Sequence, residues 1–462
     1  MLDSVFKAYD VRAVHPEPLS VDVARRIGWG AADWFIGQAG KGPGESVTIA
    51  VGHDMRLSSP ELVEALELGL RARGADVVQV GLVDTPFIAF AVNHLGADGG
   101  IQTTASHNPA QYNGFKICAA RAKPVGRDTG LDDIRQRAAH APDEMSELSG
   151  ARREVDLWDA YREHVFRFLD PAIQDGTKTV RLAIDASNGM AGTMVPKLFD
   201  EVPGLELVRI HFDNDSGVFV HEPNPLVDSN LQWVRDAVVA EGAHAGICFD
   251  GDADRCMVVD EQGGIIGCDL LTAWLSGRFL AAQGGAGAIV YDLRSSHCVQ
   301  DAIEQAGGVP VRSRVGHVFM KQKMAEHDAV FGGELSGHFY FRDNWYADSG
   351  AMAFALVASA LADEDRPLSE CIAPFRDRVQ SGEINFETPD KQAAMDALKS
   401  AYPDAMIDEL DGVTVVLDDW WCNVRASNTE PLLRLNLEGP DDATVQARVA
   451  EVAAMLGTRV DH

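Results

Sequence analysis

The sequence predicts an α/β protein built of three similar mixed α/β domains and a smaller C-terminal α+β domain. Three observations carry this. A length of 462 residues exceeds what a single hydrophobic core supports, so the chain divides into several domains. A β-branched strand followed by a capped helix recurs in three separated places. After Pro374 that pattern gives way to strands joined by short polar connections.

The first strand run is Val47-Thr48-Ile49-Ala50-Val51. Ser58-Ser59-Pro60 then reads as a helix start, with a serine N-cap and proline just inside, the helix ending near Gly74. Val77 to Val80 supplies the next strand. The pattern returns at Val180 to Asp185 with a helix around Pro196, and at Ala288 to Asp292 with a helix opening at Ser295-Ser296. In the last region Val413 to Leu417, Trp420 to Val424 and Leu432 to Leu437 read as strands, followed by a helix near Ala443 to Met455. Seams near Gly150, near Asp260 and between Asp363 and Arg376 give expected domains over residues 1–150, 151–258, 259–370 and 371–462.

Composition narrows the function classes. Hydrophobic residues at 46% and charged residues at 24% suit a folded globular protein and exclude a disordered or fibrous one. A formal charge of −30, from 70 acidic against 40 basic residues, would repel nucleic acid and anionic membrane. An anionic substrate would therefore need positive side chains gathered locally. Met1-Leu2-Asp3-Ser4 has no basic stretch leading into an apolar one, and no apolar run reaches membrane-spanning length, so a cytoplasmic protein is expected. The seven cysteines are scattered without a CxxC pair and read as buried free thiols.

Four segments carry candidate chemistry. Asp250-Gly251-Asp252-Ala253-Asp254-Arg255 follows an apolar run, so three carboxylates can converge from a loop at a strand end, as hard oxygen ligands for magnesium or calcium. A calcium loop fails at its sixth position, where Arg255 replaces the required glycine; a plain acidic turn remains open. Thr103 to Pro109 contains Ser106, a candidate nucleophile at a turn expected to expose its hydroxyl, with Lys116 downstream to neutralise a phosphoryl oxygen. On its residues alone this segment reads more readily as a solvated turn, since turn chemistry favours Ser, Asn and Pro, and Lys116 is what favours the nucleophile. Gly332 to His338 places a carboxylate, a hydroxyl and an imidazole in a glycine-rich loop suited to sugar hydroxyls, or to an ordinary polar turn. Arg425 to Pro431, with Arg434 beyond, offers a guanidinium and hydroxyl and amide donors suited to a phosphate, or to a hairpin loop.

Taken together, TASHNPAQYNGFK, DGDADR, GELSGH and RASNTEP, in that order, resemble the α-D-phosphohexomutases, closest to the bacterial phosphomannomutase/phosphoglucomutase type. The resemblance spans the chain, including Ala8 to Arg12, Glu222 to Leu226 and Arg314 to His317. It implies that Ser106 is the phosphoserine and that Asp250, Asp252 and Asp254 bind Mg²⁺ together with a phosphoserine oxygen. It further implies that Lys116 and Arg255 surround the transferring phosphoryl group and that His338 moves a proton. Glu334 and Ser336 match sugar-hydroxyl contacts, and Arg425, Ser427, Asn428 and Thr429 match a distal phosphate clamp. Arg12, Arg294 and His317 match pocket contacts. Ala13, Arg294 and Val315 stand where relatives often carry glycine, lysine and threonine.

The expected activity is interconversion of mannose 6-phosphate and mannose 1-phosphate, and also of the glucose phosphates, through a hexose 1,6-bisphosphate that doubles as activator. Phosphoglucosamine mutase is the alternative. A sugar-phosphate phosphatase and a non-catalytic sugar-phosphate-binding protein are the rivals from other classes. The partners expected are small sugar phosphates, with no nucleic acid and no membrane; monomer and dimer both remain open.

Overall fold

The computed structural model describes residues 2–40, 45–145, 147–427 and 432–460. Two compact units result, one of residues 1–266 and 336–369, the other of residues 267–335 and 370–462. Chain order is therefore not spatial order, since Ser336–Ser369 joins the first unit.

The first unit contains two sheets. In one, Gly99–Thr103, Thr48–His53, Asp76–Leu82 and Arg152–Glu154 run parallel, and Tyr112–Ala119 and Val11–Val14 add antiparallel strands at one side. The helix Val21–Ala39 starts because Ser20 Oγ accepts the Val23 amide at 3.2 Å, and stops at left-handed Gly40. Its apolar face, Val23, Ile27, Ala31 and Phe35, is fully buried, stabilising the fold by about 1.5–3 kcal/mol for each of its larger side chains. It lies close against the helix Ser59–Arg73: a Cβ at Gly69 would sit 1.9 Å from the Arg25 carbonyl oxygen, so only glycine permits this approach.

The helix Ser59–Arg73 opens after Ser58 with proline just inside, as expected, but without the side-chain bond of a serine cap. Ser58 has helical backbone angles and makes no cap bond, because its hydroxyl accepts from Asn113 Nδ2 at 2.8 Å, while Ser59 Oγ donates to Asp54 at 2.5 Å. Tertiary partners outcompete the local bond.

The second sheet has Val180–Asp185 at its centre, parallel to Ala245–Phe249 on one side and Leu205–Ile210 on the other, with Cys256–Asp260 antiparallel beyond. Every residue of Ala245–Phe249 and Cys256–Asp260 is buried. The helix Gly350–Ala362, apolar on nearly all sides, is buried from Gly350 to Ala360, which its composition requires.

In the second unit, Val309–Ser313, Ala288–Asp292 and Phe331–Gly333 form parallel pairs, and the helix His297–Gln305 begins with Ser296 Oγ accepting the Cys298 amide. The C-terminal region is antiparallel around Leu432–Gly439 and Trp421–Ala426, with Val413–Val416, Met406–Asp408, Ile384–Glu387 and Thr458–Val460 continuing outward. The helix Asp442–Leu456 packs on it through Val445, Val452 and Leu456. The fold class is thus as predicted. No disulfide joins the seven cysteines among the described residues, and all but the half-buried Cys118 are buried. Among the described residues no helix is long and apolar enough to cross a membrane.

Candidate active site

The strand Ala245–Phe249 delivers Asp250 directly into the loop that carries Asp252 and Asp254. A carboxylate oxygen of each lies within 4.8 Å of the others, and all three side chains are buried. The expected convergence is present. So close a set repels itself: burial, then Asp254 and Asp252, push Asp250 well above the usual carboxylate range. Burial would also raise Asp254, but Lys116, His338 and Arg255 outweigh it and hold it well below that range.

Lys116 projects from the strand Tyr112–Ala119 into this set, 2.8 Å from Asp252 Oδ2 and 2.5 Å from Asp254 Oδ2. Burial alone would lower its pKa; the three carboxylates raise it instead, so the ammonium stays charged. Thr85 Oγ1 also donates to Asp252 Oδ2, whereas Asp252 Oδ1 is buried without a hydrogen-bond partner among the described residues.

Ser106 does not expose its hydroxyl as its turn suggested. The residue is 1% exposed, with Oγ donating to Asp250 Oδ2 at 2.7 Å. The cause is a close meeting of loops: Gly251 passes so near that a Cβ there would sit 2.2 Å from the Ser106 carbonyl oxygen. Ser106 itself has φ 49°, a left-handed backbone that costs a serine about 1–3 kcal/mol unless its surroundings impose it. Beside it, burial and then Arg255, Arg12 and Lys116 drive the His107 pKa well below its ordinary value, so that ring is neutral.

Arg255 Nε lies 3.3 Å from His338 Nε2, which is also 3.3 Å from Asp254 Oδ1 and 3.6 Å from Asp348 Oδ2. His338 Nδ1 and Ser336 Oγ are 2.9 Å apart. Arg12 is oriented by Asp10 at 2.5 Å and donates to Asn108 Oδ1 at 2.6 Å, on the loop of Ser106. One constellation in the first unit, buried at Ser106, the aspartates and His338 and partly buried at the rest, therefore gathers Ser106, Lys116, Asp250, Asp252, Asp254, Arg255, Ser336 and His338.

The second unit holds Glu334, Arg294, His317, Arg425 and Ser427. Asp292 grips Arg294 through two bonds of 3.0 and 2.9 Å and accepts the Leu335 amide at 2.8 Å. Glu334 Oε1 accepts the Gly316 amide at 3.2 Å, directly before His317 at the start of the helix His317–Glu326. Arg425 is 2% exposed, and burial followed by Arg294 lowers its pKa. Glu383 offsets this, 2.5 Å from Arg425, 3.1 Å from Arg434 and 3.6 Å from Arg294. Asn428 and Thr429 lie outside the described residues.

Family models for phosphoglucomutase/phosphomannomutase match the chain four times: alpha/beta/alpha domain I over residues 3–144, domain II over 159–264, domain III over 269–378, and the C-terminal domain over 383–455. The chain belongs to the phosphoglucomutase/phosphomannomutase family. It is 38% identical to the phosphomannomutase of Escherichia coli K12 and 39% identical to a protein named phosphohexose mutases of Xanthomonas campestris, with 98% of each chain covered in both cases. A phosphoglucomutase/phosphomannomutase family protein of Burkholderia thailandensis shares its fold with a TM-score of 0.87 at 33% identity, covering 98% of this chain and 96% of that one. The chain is accordingly a phosphohexomutase, an isomerase.

Two residues of this phosphohexomutase escaped sequence reasoning. Arg56 is 2% exposed and donates to the backbone carbonyls of Ser106, Asn108, Pro109 and Tyr112 at 2.6–3.0 Å, besides pairing with Asp54. It holds the Ser106 loop in place. Its local signal is only a charged pair after the strand Thr48–His53, and its partners lie about 50 residues away. Glu383 was missed likewise, as one carboxylate in a connection between short strands.

The acidic set fits a hard divalent cation: three convergent carboxylates, a buried oxygen left over on Asp252, and a hydroxyl already on Asp250.

Proposed function

We propose that the protein is a phosphomannomutase that also turns over glucose phosphates, working through a phosphorylated Ser106 and a hexose 1,6-bisphosphate. The observation that carries this is the placement of Ser106 Oγ at 2.7 Å from Asp250, inside a set of carboxylates that Lys116 already bridges. A phosphoryl group cannot pass in line from O6 to O1 of one sugar. The protein must give its own phosphate and take the other back.

In the transfer, the bond from phosphorus to Ser106 Oγ breaks and a bond from phosphorus to a sugar hydroxyl oxygen forms. The hydroxyl proton passes to His338 Nε2, and the bisphosphate then reverses its ends before the second phosphate returns to Ser106. Lys116 and Arg255 balance the charge on the transferring group, and Arg12, on the strand Val11–Val14 and bonded to Asn108, contacts the substrate. Asp250, Asp252 and Asp254, with an oxygen of the phosphoserine, would hold Mg²⁺, which supplies charge neutralisation when bound. In the second unit we assign sugar hydroxyls to Glu334, with Arg294 and His317 as substrate contacts, and the phosphate not being transferred to Arg425, Ser427, Asn428 and Thr429. Ser336 is assigned a sugar hydroxyl in the same way. Buried, and sharing the Glu383 carboxylate with Arg434 and Arg294, Arg425 suits a dianion.

A coupled assay with mannose 1-phosphate, a sugar bisphosphate activator and Mg²⁺ tests the reading. Mannose 6-phosphate should form, and Ser106→Ala should not form it. Release of inorganic phosphate at the same rate as substrate loss would make the protein a phosphatase instead.

A further inference from the structure

Apart from the acidic loop, the first unit carries another convergence of metal-binding atoms, which the phosphoryl transfer does not use. Asp185 ends the strand Val180–Asp185, His211 follows the neighbouring strand Leu205–Ile210, and His221 lies on the connection beyond. Asp185 is fully buried, with Oδ1 held by the Ser187 amide at 2.9 Å. His211 Nδ1 is 3.1 Å from Oδ1, and His221 Nε2 is 3.2 Å from Oδ2. One ligand atom of each residue lies within 4.8 Å of the others.

The tautomer of His221 decides the chemistry. Its Nδ1 is 2.8 Å from the Glu222 carbonyl oxygen. A carbonyl only accepts, so Nδ1 carries the proton, and in the neutral ring Nε2 would present a lone pair to a carboxylate oxygen; burial lowers the ring's pKa, but Asp185 outweighs it and raises it, so Nε2 favours a cation. Two acceptors at 3.2 Å need a cation between them, either a second proton or a metal. A ring fixed by an N–H donated to a backbone carbonyl is how proteins orient histidines that bind metals. Each imidazole approaches a different oxygen of Asp185, at 3.1 and 3.2 Å, a spread compatible with ligand atoms about 2.0–2.2 Å from one ion held by that carboxylate. Trp233 holds the pair, stacked on His221 at 5.0 Å and edge-on to His211 at 5.3 Å. The His211 side chain keeps 13% of its surface exposed, which leaves an approach from solvent.

We propose that Asp185, His211 and His221 form a site for a zinc-class divalent cation, separate from the all-oxygen set at Asp250, Asp252 and Asp254. Two imidazoles and one carboxylate select a borderline-soft ion, whereas three carboxylates select magnesium. The ion ties the connection after Ile210 to the ends of two strands, so its role is structural. Asp185 pairs in register with Cys248, two residues before Asp250, which places the tie on the scaffold of the acidic loop.

The test is calorimetric titration of the metal-depleted full-length protein with Zn²⁺ at pH 7.5, with millimolar Mg²⁺ present to occupy the oxygen set. One equivalent should bind, and Zn²⁺ should raise the melting temperature. His211→Ala and His221→Gln should each weaken that binding by at least about 100-fold and abolish the thermal shift, since each removes a direct ligand. Asp252→Asn should leave both intact. Absence of Zn²⁺ uptake by the unsubstituted protein would mean that a proton alone fills the gap and would overturn the site. So would unchanged uptake in a folded His211→Ala/His221→Gln double variant.

Discussion

Replacing Ser106 by alanine removes the covalent relay proposed for it, so turnover should fall by at least about three orders of magnitude. Mutase activity near normal in that variant, measured with a bisphosphate activator, would count against the relay. Asp252→Ala should lose Mg²⁺-dependent activity and weaken Mg²⁺ binding by calorimetry while keeping the far-ultraviolet circular dichroism of the parent. The same change strips Lys116 of one of its two short carboxylate contacts. His164 carries a separate prediction about acid. Arg167 donates to its Nδ1 at 2.7 Å, so Nε2 carries the proton and donates to Asn344 Oδ1 at 3.0 Å, which makes the ring neutral. Burial lowers its pKa from 6.5 to about 4. Between those values the unfolded chain binds a proton that the folded one refuses. The stabilisation is thus complete above pH 6.5 and is lost as pH falls towards 4. Melting temperatures from pH 7 to pH 4 should drop less steeply for His164→Gln than for the parent; parallel slopes would rule the effect out.

At the scale of elements, the loop of Ser106 depends on the buried Arg56. Lysine cannot reproduce a fork that reaches four carbonyls, so Arg56→Lys should cost about 3 kcal/mol of stability. It should also lower kcat, because the loop would lose its strained backbone. Urea denaturation and steady-state kinetics measure both. The same loop shows what a sequence can and cannot reveal. Asp250, Asp252 and Asp254 were legible because they lie on one short loop after an apolar strand, and periodicity located that strand. The hydroxyl of Ser106 was misjudged because the residue that buries it, Asp250, is 144 positions away. Ser58 failed as a cap for the same reason, with Asn113 as the distant competitor. Arg56 and Glu383 act through partners far along the chain, so nothing in their own surroundings marks them.

For the whole molecule, the reading of substrate follows from what the residues address. Glu334 and Ser336 are assigned hydroxyls common to mannose and glucose, and no group is assigned to C2. Discrimination between the two sugars should then be on the order of 1–2 kcal/mol in kcat/KM, because strong rejection requires stranding a buried polar partner. Glucosamine 1-phosphate should be the poorest of the three. A glucosamine value above the other two would move the protein to another branch of its family and leave the transfer chemistry in place. At this scale the strand and helix pattern of three regions was readable from periodicity and punctuation. The grouping of Ser336–Ser369 with the first unit was not, since no local pattern records which residues a returning segment packs against.

The depth of Ser106 bears on how the protein would be charged. A protein kinase would have to lift the loop away from the four carbonyl bonds of Arg56 to reach the hydroxyl, whereas a small bisphosphate needs only the side chain to swing off Asp250. The same shelter would keep general phosphatases from an ester once it is made. A purified sample would then act as a record of the last sugar it met, legible as the ratio of two intact masses.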